Sequence, residues 1–122
     1  MSVSYFVRYD IAVSDVRAFL DRYRSVHVAM VAAWPGLQRM VIHTPIEWSD
    51  PFPVNRGRAV LLAQLEFESE AAMNQAFASR ERAAAREDFK RFMTFEGTVV
   101  HQAMKAEEVW RSPWLDGSEE QA

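Results

Sequence analysis

The tetrapeptide Trp34-Pro35-Gly36-Leu37 limits the possible folds more than any other stretch, because no regular element can run through it. Pro35 pushes Trp34 out of helical geometry, and Gly36 supplies the positive φ that a tight exit needs. Before the break, Val16, Phe19, Leu20, Tyr23, Met30, Val31 and Trp34 follow the period of an amphipathic helix, with Ser14 as cap and Asp15 in the first turn. The gap in that stripe is filled by His27, which therefore lies on the apolar face. After the break, Leu37 to His43 alternates weakly, Met40 and Ile42 against Arg39, Val41 and His43, as an edge strand does.

The flanking segments supply the rest of the architecture. Residues 3–10 are rich in β-branched and aromatic types and predict a first strand, with Tyr5, Val7 and Tyr9 on one face and Phe6, Arg8 and Asp10 on the other. Residues 44–57, with Pro45, Pro51, Pro53 and Gly57, predict an irregular loop in which Trp48 and Phe52 are partly covered. Arg58 to Phe67 contains a near-continuous apolar run, the pattern of a central strand buried on both faces. Ser69-Glu70 caps a further helix bearing Met73, Ala76 and Phe77. Ser79 interrupts it before a second segment with a stripe of Phe89, Phe92 and Met93, ended by Gly97. Arg80, Glu81, Arg82, Arg86, Glu87 and Asp88 are expected on the solvated side. A last strand over 98–110, an apolar anchor over 112–115 and an acidic flexible tail over 116–122 complete the chain.

A chain of 122 residues supports one core, assigned here to residues 1–115. Its 14 basic and 17 acidic residues are interspersed, so no uncompensated basic patch offers a nucleic-acid surface. Cysteine is absent, which removes disulfides, thiolate metal sites and cysteine nucleophiles together. Arg8 and Asp10 interrupt the early apolar run, and no apolar stretch reaches the ~18 residues of a membrane helix, so a cytoplasmic protein without membrane partners is expected.

The order β-α-β-β-α-β is that of a ferredoxin-like α+β fold, a four-stranded antiparallel sheet with its helices on one face. The other face is left bare and apolar at Phe6, which predicts sheet-to-sheet pairing into a homodimeric α/β barrel. Arg8 and Gln64, on central strands, are expected at that interface. A strand, then a helix carrying His27 shortly before Trp34-Pro35-Gly36-Leu37, then a strand near Arg39, resembles the EthD-like branch of the dimeric α/β barrel superfamily. The resemblance implies a ferredoxin-like homodimer with a mostly apolar pocket between sheet and helices, in a superfamily that includes cyclases, monooxygenases and isomerases.

His27 is the first catalytic candidate, since a neutral imidazole exchanges protons near physiological pH. Tyr9, projecting from the first strand towards the helices, is the second. Trp34, His43, Trp48, Phe52 and His101 are candidate substrate contacts. His27, His43 and His101 lack the short spacing of a helical metal motif, and the second and fourth strands take opposite edges of such a sheet, so no metal is expected. Related haem-degrading barrels carry an axial histidine on the second helical region, and residues 69–96 contain none, so no cofactor is expected either. Two functions follow. One is a small-molecule enzyme acting on a hydrophobic, aromatic or carbonyl-containing compound by cofactor-independent proton transfer. The other is a non-catalytic barrel that binds a small molecule or assists a degradative pathway.

Overall fold

In the computed structural model, which describes residues 2–92 and 94–115, four strands form one antiparallel sheet in the order β2-β3-β1-β4. The strands are β1 (Val3–Val13), β2 (Leu37–His43), β3 (Leu61–Phe67) and β4 (Phe95–Lys105). Met93 and the tail over 116–122 lie outside the described residues. This is the ferredoxin-like arrangement that the element order implies, with β2 and β4 at the edges.

Side-chain alternation sorts the sheet into two faces. Val3, Tyr5, Val7, Tyr9 and Ile11 of β1 and Leu61, Ala63, Leu65 and Phe67 of β3 are all buried beneath the helices. Register places Val7 opposite both Ala63 and His101, so His101 shares that helix-covered side. The opposite face carries Phe6, Arg8, Leu62, Val100, Gln102 and Met104 around an open groove of about 230 Å³.

The first helical rod is not one regular helix. It comprises α1 (Val16–Arg22), a π turn (Tyr23–His27) and α2 (Val28–Ala32). Its buried positions Phe19, Tyr23, His27 and Val31 recur every four residues. On an α-helix four residues advance roughly 400°, overshooting a full turn by about 40° each time. The wider turn, closed by the Val28 N–H on the Tyr23 carbonyl, takes up that overshoot and keeps all four side chains on the sheet. The cap is Asp15, which accepts the Ala18 N–H at 3.0 Å, and not Ser14. Gly36 has φ of +77°, the positive value that the break after Trp34 requires.

The second helical region divides at Ser79, as the sequence suggests, into α3 (Glu70–Phe77) and α4 (Arg80–Phe89), capped by Ser69 and Ser79. Gly97 does not end a helix. It lies inside β4 opposite Ile11, with φ of +114°, and β4 therefore starts earlier than expected and ends at Lys105. The segment between β2 and β3 is irregular and reaches Val60, so β3 starts three residues after Arg58 and leaves Ala59 and Val60 outside the strand. Phe52 there is 73% exposed, contrary to the expected cover, and Trp48 is half-exposed beneath the Arg56 guanidinium, 4.1 Å from its ring centre. Arg8 pairs with Asp10 and Gln64 with Ser4 and His43. Among the described residues no helix is long and apolar enough to cross a membrane.

Candidate active site

Beneath the helices, a cavity of about 40 Å³ opens between α4 and β4. Its floor is Tyr5, Val7, Tyr9 and Leu65 of the sheet; Tyr23, His27, Val31 and Trp34 close one side, and Arg82, Arg86 and Phe89 of α4 the other. Most of this lining is apolar or aromatic, the environment in which a polar group has the most effect.

His27 is buried, with Nδ1 2.9 Å from Oδ2 of Asp88. Asp88 is itself held through Oδ1 by Nη2 of Arg22 at 2.8 Å, and through Oδ2 by Nη1 at 3.2 Å. The Arg22 hydrogen bonds outweigh burial and, with His27, hold the Asp88 carboxyl at about 2 against an ordinary 3.8. It is therefore an ionised acceptor, and the imidazole hydrogen sits on Nδ1. Nε2 has no protein partner among the described residues and keeps its lone pair. Burial lowers the His27 pKa, opposed by Asp88 and assisted by Arg22 and Arg86, so the neutral base is the resting form near pH 7. The arrangement is an oriented base with a fixed tautomer, suited to accepting a proton from a bound molecule.

Tyr9 lines the same cavity, with Tyr23 packed against both it and His27. Burial raises the Tyr9 hydroxyl to about 12, with the Tyr23 hydroxyl partly offsetting the rise. It stays protonated, and its ring packs edge-on against Tyr23, which in turn lies 5.0 Å from the imidazole centre. At the mouth the Tyr5 hydroxyl bonds His101 Nδ1. Burial and the nearby Arg86 and Arg82 lower the His101 pKa.

The structure thus brings His27, Tyr9, Trp34 and His101 around one cavity. It places His43 on the far face of the sheet, where Nε2 meets Gln64 Oε1 at 3.2 Å, and Trp48 and Phe52 on the exposed loop. Those three do not line the cavity. Asp88 overturns the expectation of a solvated side of α4, since it is 5% exposed, and Arg82 departs from it in part, half-buried in the cavity lining, whereas Arg86 is exposed as expected while also reaching the cavity. For Arg82 a signal was present, since stepping back from Phe92 and Phe89 at helical spacing reaches Ala85 and Arg82; Asp88 and Arg86 fall off that stripe. Among the described residues no group of three His, Cys, Asp or Glu side chains gathers as metal ligands.

The coupled titration of this site makes stability acid-sensitive. Both groups hold protons less readily in the folded state, so their contribution is complete above about pH 6.5 and falls as pH drops. His27 starts the loss below its unfolded value of 6.5, and Asp88 continues it between 3.8 and about 2, at a cost on the order of 2 kcal/mol. Urea midpoints measured at pH 7.5, 5 and 3 are expected to fall in that order, and His27→Gln reduces the drop between the first two, leaving the part that His101, also lowered, contributes.

Several known proteins share this framework. An uncharacterised 11.0 kDa protein from the thcB-thcC intergenic region of Rhodococcus erythropolis is 38% identical over 87 residues, covering 71% of this chain and 81% of that protein. The structure of an ethyl tert-butyl ether d (EthD) family protein from Bacillus halodurans superposes with a TM-score of 0.68 at 17% identity, covering 88% of this chain and all of that one. SnoaB, a cofactor-independent oxygenase from Streptomyces nogalater, superposes with a TM-score of 0.60 at 14% identity, over 91% of this chain and 98% of its own. The family model described as the EthD domain matches residues 14–96, most of the chain and the whole span from the first helix cap to the start of β4, and the chain belongs to the EthD family.

Proposed function

We propose that this protein is an enzyme acting on a small hydrophobic compound, aromatic or carbonyl-containing, by cofactor-independent proton transfer to Nε2 of His27. The observation that carries this reading is the buried His27–Asp88 pair at 2.9 Å in the wall of an apolar cavity. Nε2 takes the proton of an acidic C–H or O–H, and the electron pair stays on the substrate as an enolate or phenolate. Tyr9, protonated at neutral pH, donates a hydrogen bond to a substrate oxygen. The neighbouring arginines resist a second cation, so the imidazolium readily gives the proton back. Isomerisation, aldol-type cyclisation and monooxygenation begin with such a step, decarboxylation ends with its reverse, an imidazolium proton delivered to the carbanion left by loss of CO2, and a cofactor-independent oxygenase is among the proteins that share the fold. A panel of aromatic and carbonyl compounds assayed with the wild type and His27→Ala tests the reading; equal rates for the two with a confirmed substrate reject it.

A second reading is a non-catalytic barrel that holds a small molecule or assists a degradative pathway, and the size of the cavity favours the latter arm, which needs no bound ligand. About 40 Å³ is well below the ~300 Å³ of common ligand pockets, so an aromatic substrate must widen the gap between α4 and β4 to enter.

The working form we propose is a homodimer. Val100 and Met104 are 39% and 45% exposed on the uncovered sheet face, beside Phe6 and Leu62, and such an apolar area favours a second copy. Light scattering at micromolar concentration is expected to give twice the 14.1 kDa chain mass; a value near 14.1 kDa refutes the dimer.

A further inference from the structure

Two side-chain nitrogens are buried without a hydrogen-bond partner among the described residues, Nε1 of Trp34 and Nε of Arg82. Both residues line the His27 cavity. Trp34 is 7% exposed, and an unmet buried N–H costs about 1–3 kcal/mol, more when charged. Two such donors in the lining of one cavity, with the Arg82 guanidinium 6.0 Å from the Trp34 ring centre, are a deficit that an acceptor from outside the protein would remove.

Charge gives the sign of that acceptor. Among the described residues neither Arg82 nor Arg86 forms an ion pair, although six other pairs are present. Arg22 and Asp88 neutralise each other, and His27 and His101 are neutral near pH 7. The cavity therefore carries two uncompensated positive charges inside a chain of net charge -3. The Arg82 guanidinium is held in place, 4.8 Å from the Phe77 ring centre and 6.0 Å from that of Trp34.

We propose that Trp34 Nε1–H and Arg82 Nε–H receive one acidic oxygen of the substrate, a carboxylate or an ionised enol or phenol, within the cavity that His27 also lines. This rests on the proton-transfer reading for its purpose, since negative charge created on the substrate by His27 is stabilised by the same donors. Arg86 and His101 sit at the cavity wall through which such an anion enters.

The test uses the full chain labelled with ¹⁵N, with the Trp34 indole signal assigned by its loss in Trp34→Phe. Acetate, benzoate and 4-nitrophenolate are titrated against the neutral acetamide, benzamide and 4-nitroanisole. At least one anion is expected to move the Trp34 indole proton downfield and to bind tenfold or more tightly than its neutral counterpart; which anion does so separates carboxylate from phenolate recognition. Arg82→Met, checked for folding by circular dichroism, is expected to weaken that anion at least tenfold. Trp34→Phe, which keeps a ring and removes only the N–H, weakens it at least threefold by calorimetry. Equal binding of anions and neutral compounds, an unmoved indole signal, or unchanged affinity in both variants overturns the proposal. His27→Ala retains anion binding, so loss of the proton-transfer reading and loss of this one give different results.

Discussion

His27→Ala is expected to lower kcat for a confirmed substrate by about 10²–10⁴-fold, with little change in KM, because the imidazole acts on the transferring proton and adds little to binding. The fold survives: Asp88 keeps its two-point contact with Arg22, so no carboxylate is left unpaired. Asp88→Asn gives a smaller loss, since it leaves the imidazole in place but removes the charge that holds hydrogen on Nδ1. The wild-type rate falls on acidification below about pH 6.5 as Nε2 takes up a proton from solvent, and His27→Ala loses that limb of the profile. Steady-state kinetics from pH 5 to 8 with both variants, alongside circular dichroism, checks these statements. A full rate in His27→Ala removes His27 from the chemistry and leaves the binding reading standing.

Gly97→Ala is expected to destabilise the protein by at least about 3 kcal/mol, combining a strained left-handed backbone with overpacking. At φ of +114° an L side chain is disfavoured, and a Cβ there would lie 2.3 Å from the Asp10 carbonyl oxygen and 2.9 Å from Ile11 Cα. Both are backbone atoms of the paired strand, so relief requires β1 and β4 to part. Those two strands share a continuous register from Val3 with Lys105 to Val13 with Phe95, and β4 carries Val99 and His101 into the cavity. The loss in urea midpoint is therefore expected to come with weakened ligand binding at the mouth. Gly57→Ala is the control, since nothing lies within 4 Å of its added Cβ, and it leaves both unchanged.

The two glycines show how local information divides. Gly36 follows Pro35 at the end of a helical stripe, where only a turn fits, and its positive φ was legible from its neighbours. Gly97 looked like the same punctuation after Phe92, yet its conformation is imposed by Asp10 and Ile11 of a strand far away in the chain. The π turn divides in a similar way. Periodicity marked Phe19, Tyr23, Val31 and Trp34 as buried and His27 as their companion, which they are. The widened turn that aligns them answers to the sheet beneath and leaves no residue-type signature.

Alternation and helical spacing, read along the chain, were enough for the element order, the two faces of the sheet, the Ser79 break and the position of His27 on the apolar stripe. These are properties of near neighbours, set by 2.0- and 3.6-residue periods and by turn chemistry. The partner of His27 was out of reach, because Asp88 stands 61 residues away in a run of charges that resembles any solvated helix. Packing of α4 against α2 and the π turn buries Asp88 alone of that run, so it meets His27 and Arg22, while Arg82, half-buried, and Arg86, exposed, line the cavity. Burial then changes what the same side chains do: it keeps His27 neutral and leaves Trp34 Nε1–H and Arg82 Nε–H out of water without a partner among the described residues. Local pattern specifies which face of an element is apolar, but pairing between distant charges depends on how the elements are set against one another, and that is a property of the folded core.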